Sequence, residues 1–135
     1  MKTNLDKLFK VNSTFADEGV DFAIDDKTSF RLRYLSTTNP RVKAAFARHY
    51  KPYARQVELG TLDRAKEDEI MINIFCDICL VSWTGVEVDG ETLEFSKENA
   101  INLFKGLPIL FDTLWRYAND HSNYKEEEEK ELGNS

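Results

Sequence analysis

Apolar positions change period several times along the chain, and each change marks an element. Val20, Phe22 and Ile24 alternate with Asp21 and Ala23, and Phe30, Leu32 and Tyr34 alternate with Ser29, Arg31 and Arg33. A period of two on both sides of the polar stretch 25–28 predicts a hairpin of half-buried strands over 20–34. Ahead of it, Leu5, Leu8 and Phe9 are spaced as a single helical turn.

From residue 40 the period becomes helical. Asn39-Pro40 reads as an N-cap with proline in the first turn, and Val42, Phe46, Tyr50, Tyr53 and Val57 continue one face to about residue 58. Pro52 lacks an N–H and predicts a kink or a new start within that span. Leu59-Gly60-Thr61 reads as a C-cap glycine followed by the cap of a helix over 62–82. Asp63, Glu67, Asp68 and Glu69 sit at its positive end. Ile70, Ile74, Ile78 and Val81 form one row and Met71, Phe75 and Cys79 the next, leaving Asn73 and Asp77 as a narrow polar stripe. A helix apolar over most of its circumference is central, or is covered by a partner.

Residues 83–100 read as a junction without chemistry. Trp83 closes the apolar helix, Gly85 permits a turn, and Asp89-Gly90 supplies the positive φ angles of a tight hairpin near 86–95. Ser96 then caps a helix over 96–105, whose face carries Ala100, Ile101, Leu103 and Phe104, with Asn99 in its first turn. Gly106 stops that helix, and Pro108 opens another over 108–120, with Leu110, Phe111, Leu114, Trp115 and Ala118 on one side. The pattern predicts a mainly α, compact single domain over 1–122 with a small N-terminal β-hairpin. Residues 123–135, rich in Glu, are expected to form an acidic flexible tail.

At 135 residues the chain suffices for one core, and a formal charge of −6 argues against general nucleic-acid binding. The longest apolar run, 70–83, is too short and too polar to cross a bilayer. The two cysteines, Cys76 and Cys79, match C-x-x-C. A redox pair needs its first thiol at a helix N-terminus, whereas these fall deep inside an apolar helix and read as small buried hydrophobes. A zinc site needs two further ligands, and His49 and His121 lack paired spacing. No nucleophile, phosphate loop or metal motif appears, so neither catalysis nor a cofactor is expected.

Charge is unevenly distributed. Arg31, Arg33, Arg41, Lys43, Arg48, Lys51 and Arg55 fall in a stretch, 31–57, without Asp or Glu. Besides an ordinary solvated face, this admits a nucleic-acid patch or a docking face for an acidic protein segment such as the Glu-rich tail of a neighbouring subunit. Overall acidity favours protein docking, through Arg41, Lys43, Arg48, Lys51 and Arg55.

The order of parts resembles the tail assembly chaperones of long-tailed, siphovirus-type bacteriophages. The resemblance covers about 18–122 and is a pattern of spacing. Its most specific part is the Trp83-x-Gly85 turn followed by Ser96-Lys97-Glu98-Asn99-Ala100. It implies a largely helical, self-associating protein that binds the tape measure protein, keeps it soluble and helps recruit tail tube subunits. Such a protein works in the cytoplasm of the infected host and leaves before the virion is complete. The chain would be the shorter product of a gene with a programmed frameshift.

The family offers no catalytic residues. Trp83, Gly85, Gly90, Ser96 and Asn99 are expected to hold the junction. Partner binding and self-association are expected on the apolar face of Phe104, Leu107, Leu110, Phe111, Leu114 and Trp115. The alternatives are a virion-retained tail completion or minor tail protein, a small nucleic-acid-binding regulator using 31–57, and a thiol oxidoreductase using Cys76 and Cys79.

Overall fold

A computed structural model describes residues 4–125. Helices α1 (Asn4–Phe9) and α2 (Ser13–Glu18) precede strands β1 (Val20–Ala23) and β2 (Ser29–Leu32). The strands pair antiparallel with Phe22 opposite Phe30. Asp25 closes their turn, its Oδ1 accepting from the amides of Lys27 and Thr28 at 2.9 and 2.7 Å. Helix α2 is not marked by the apolar period; its Asn12 cap, accepting from Phe15 N at 3.0 Å, is the local signal for it.

Asn39 caps α3 (Pro40–Tyr50), accepting from Arg41 N at 2.8 Å. Pro52 then forces a 3-10 turn, Lys51–Tyr53, and the helix restarts as α4 (Ala54–Leu59). Gly60 ends α4 in the left-handed region, at φ 68°.

The next helix is shorter than the expected 62–82. Its cap is Asp63 rather than Thr61, and α5 (Arg64–Ile78) gives way to β3 (Leu80–Thr84). Two causes end it there. Val81, Trp83 and Thr84 favour a pleated, half-buried surface, and β2 offers an open edge for them. Phe30 pairs with Trp83 and Ser29 with Thr84, while Arg33 N donates to Cys79 O at 2.9 Å just beyond the strand end. The hairpin thus becomes a three-stranded antiparallel sheet, β1-β2-β3.

A two-residue hairpin follows, β4 (Glu87–Val88) with β5 (Glu91–Thr92). Asp89 and Gly90 hold φ of 54° and 80°, the two positive angles that such a turn demands. Helices α6 (Lys97–Gly106) and α7 (Pro108–Asn119) complete the body, with a 3-10 turn, His121–Tyr124. Tyr124 is fully buried and its hydroxyl donates to Leu32 O at 3.1 Å, so the packed body runs past residue 122. The expected tail boundary is corrected accordingly; the rest of that segment, 126–135, lies outside the described residues.

α5 is central: α3 and α6 both pack on it, and it runs into the sheet. Phe30, Leu32, Phe75, Cys79, Phe104 and Leu114 are almost wholly excluded from solvent. Phe75 meets Phe104 and Phe111 edge-on, at 5.7 and 5.3 Å between centroids. Ala45, Ile70 and Ile74 form a smaller cluster between α3 and α5.

Candidate protein-binding surface

The junction residues are drawn into one bonded unit. Trp83 is buried against Phe30 and Phe95, and its indole Nε1 donates to Leu93 O at 2.9 Å. Gly85 stands at φ 73°, and a Cβ there would lie 1.9 Å from the Lys27 carbonyl oxygen. Thr28 Oγ1 donates to Gly85 O at 3.1 Å, tying the β1–β2 turn to the junction. Ser96 Oγ accepts from Asn99 N at 3.0 Å, and Asn99 Nδ2 donates back to Glu94 O at 2.9 Å. These contacts fix the entry of α6.

The expected apolar binding face divides. Phe104 and Leu114 are wholly buried and belong to the core, because α6 and α7 turn their apolar rows toward α5. Neither is available to a partner. Leu110, Phe111 and Trp115 are half-buried against the same core. Leu107 alone of the expected set is markedly exposed, at 50%, and Ile109 beside it is 82% exposed. Ile109 escapes a row-based reading because it lies off the row formed by Leu110, Phe111 and Leu114. An isoleucine on the polar side of a helix was the only sequence signal for it.

Beside this corner, a groove of about 700 Å³ runs between the start of α5 and the α6–α7 turn. Ala65, Ile72, Phe104, Pro108 and Phe111 line it, and Arg64, Asp68, Lys105 and Asp112 stand at its rim. An apolar floor with rim charges of both signs suits a helix that presents an apolar stripe.

The basic residues also separate. Arg48 pairs with Asp77 at 2.7 Å and Arg41 lies 4.0 Å from Asp17, while Arg33 Nε donates to Asp17 O at 2.8 Å. Each of these has a partner within the fold, while Arg41 and Arg48 keep more than half of their side chains exposed. Lys43, Lys51 and Arg55 are exposed and make no ion pair among the described residues.

Asp77 gathers two cations and a histidine from two helices. Arg48 Nη2 and His49 Nε2 lie 2.7 and 2.9 Å from its Oδ2, and Lys97 Nζ lies 3.2 Å from Oδ1. The His49 hydrogen bond, helped by Arg48 and Lys97 against partial burial, holds the carboxyl well below the usual carboxylate range. Asp77 therefore fastens α3 and α6 to α5. Nothing local announced it; residues 48, 77 and 97 meet only through tertiary packing.

Cys76 and Cys79 are buried free thiols. Burial pushes Cys76 up to about 12 and Cys79 higher still, and Cys79 Sγ donates to Arg33 O at 3.2 Å. Both are held as thiols rather than thiolates, opposite to what a redox pair needs. Among the described residues no helix is long and apolar enough to cross a membrane.

No curated protein and no solved structure matches the chain. A family model described as YdaY prophage protein matches residues 37–134. The match begins just before α3 and passes through the Asp77 cluster, the junction and the α6–α7 corner, leaving out the β1–β2 hairpin. The chain is phage-derived and belongs to the YdaY prophage protein family.

Proposed function

We propose that the protein is a tail assembly chaperone, acting in the host cytoplasm on the tape measure protein. In this reading it covers the apolar stripe of that long helix, keeps it soluble and helps bring in tail tube subunits. The reading assigns it no chemical step and no cofactor.

The observation that carries the reading is the α6–α7 corner. Leu107 and Ile109 stand in solvent next to the apolar-floored groove of Ala65, Pro108 and Phe111. An exposed apolar surface held on rigid helices favours a protein partner. Phage origin and the order of elements around the junction support the same reading.

Co-expression with the tape measure protein of the same phage tests it. The expected result is a several-fold larger soluble fraction of tape measure protein, with the chain absent from purified particles. An unchanged soluble fraction contradicts the proposal, and retention of the chain in particles favours a tail completion protein instead.

A further inference from the structure

A second recess lies away from the α6–α7 corner. It opens between the end of α3, the 3-10 turn Lys51–Tyr53 and the middle of α5, and holds about 240 Å³. Pro52 breaks the helix here, and the turn sets the Tyr53 ring against α5, 5.5 Å from Lys66 Nζ. Pro52 and Ile70 give the recess its apolar lining.

Two cations on its wall have donors to spare. Arg48 gives one N–H to Asp77 at 2.7 Å, and its other N–H groups have no partner among the described residues. Lys66 Nζ stands 3.6 Å from Glu69 Oε2, too far for a hydrogen bond. The local charges do not balance. Asp77 answers both Arg48 and Lys97 with a single negative charge, and Glu69 answers Lys66. Even with His49 uncharged, one positive charge is left over. Asp77 also bonds His49 at 2.9 Å, so Arg48 and His49 are held in the wall before any ligand arrives.

We infer that this recess binds a carboxylate carried on a short aliphatic stem, its oxygens between Arg48 and Lys66 and its methylenes against Pro52 and Ile70. The guanidinium fork matches a planar carboxylate. The surplus of one positive charge is balanced by a monoanion. A phosphate monoester carries about −1.5 to −2 at pH 7 and would be repelled more strongly by Glu69 on the same wall. The volume is small for a cofactor and suits a group of a few heavy atoms. A free small acid and a glutamate side chain on a partner protein both present this group, and the test below separates them. The inference stands apart from the chaperone reading: the recess shares only Glu69 with the groove beside the α6–α7 turn.

Amide shifts of the full chain, followed by NMR at fixed ionic strength, test it. Propionate is expected to bind saturably with a Kd on the order of 1–10 mM, moving the amides of Arg48, His49, Tyr53, Lys66 and Ile70. Propionamide, which has the same shape without the charge, should not bind, and inorganic phosphate should bind more weakly than propionate. Lys66→Gln should weaken propionate about fivefold by removing a charged donor. Glu69→Gln should tighten it at least about twofold by removing a repelling charge; a purely structural role for the pair would not give opposite signs. Both side chains are partly exposed, so both variants should melt as the wild type does. Arg48→Gln should abolish binding but also loosens Asp77, so the Lys66 and Glu69 variants decide the matter.

A glutamate blocked at both ends, as its N-acetyl amide, that binds at least about tenfold tighter than propionate assigns the carboxylate to a partner protein; a smaller gain assigns it to a free acid. Absence of saturable shifts with propionate, equal binding of propionamide, or tighter binding of phosphate would each overturn the proposal. So would a Lys66→Gln or Glu69→Gln variant that binds propionate as the wild type does. Soluble tape measure protein, scored in parallel with Lys66→Gln, reads the chaperone function separately.

Discussion

The junction and the α6–α7 corner lie at the two ends of one helix, yet they use their residues in opposite ways. At the junction almost every singled-out side chain or glycine has an internal partner: Trp83 to Leu93, Gly85 against Lys27, Ser96 and Asn99 closing the start of α6. At the corner, Leu107 stays half exposed and Ile109 projects almost wholly into solvent. A region whose groups are satisfied internally is built for rigidity. A region that leaves apolar side chains exposed on a rigid frame is built for contact.

Substitutions should therefore separate stability from binding. The largest loss is expected at Gly85. A valine there would meet the Lys27 backbone in a conformation that β-branched residues avoid, costing upwards of about 4 kcal/mol in urea unfolding. Phe104→Ala should follow at about 3–5 kcal/mol, because it empties the centre of the aromatic cluster. An effect on binding without loss of stability would instead return Phe104 to the contact surface.

Asp77→Asn should cost about 2 kcal/mol at pH 7, by weakening hydrogen bonds to a charged group. The Asp77 carboxyl titrates lower in the folded chain than in the unfolded one. Its contribution is thus fully present above the unfolded value, about pH 4, and is lost as pH falls through the folded value. The stability difference between wild type and Asp77→Asn, followed by thermal melts, should narrow below about pH 4 and hold steady above it. The smallest effect concerns the thiols. Cys76 and Cys79 should resist a thiol reagent in native buffer and react fully in urea; rapid native labelling would show that α5 opens.

The comparison also marks how far the sequence could be read. The hairpin, the Asn39-Pro40 start, the Pro52 break, the Asp89-Gly90 turn and the Ser96 cap were legible because each depends on local backbone chemistry. The end of α5 was not. Residues 79–82 continue the helical row, and only the unpaired edge of β2, nearly fifty residues away in sequence, draws them into a strand. Tyr124 was missed for a related reason, since its partner Leu32 lies 92 residues away. At the binding surface, the apolar row identified the core side of α6 and α7, and the exposed residue that matters most, Ile109, lay off it. Periodicity shows which residues a fold buries and is silent about an apolar residue the fold leaves out.

Ile109→Asp tests the central claim most directly. At 82% exposure this substitution should change stability by no more than about 0.5 kcal/mol. Co-expressed with the tape measure protein, it should nevertheless lose most of the soluble partner that wild type maintains. A variant that stays folded and keeps the tape measure protein as soluble as wild type does would contradict the account.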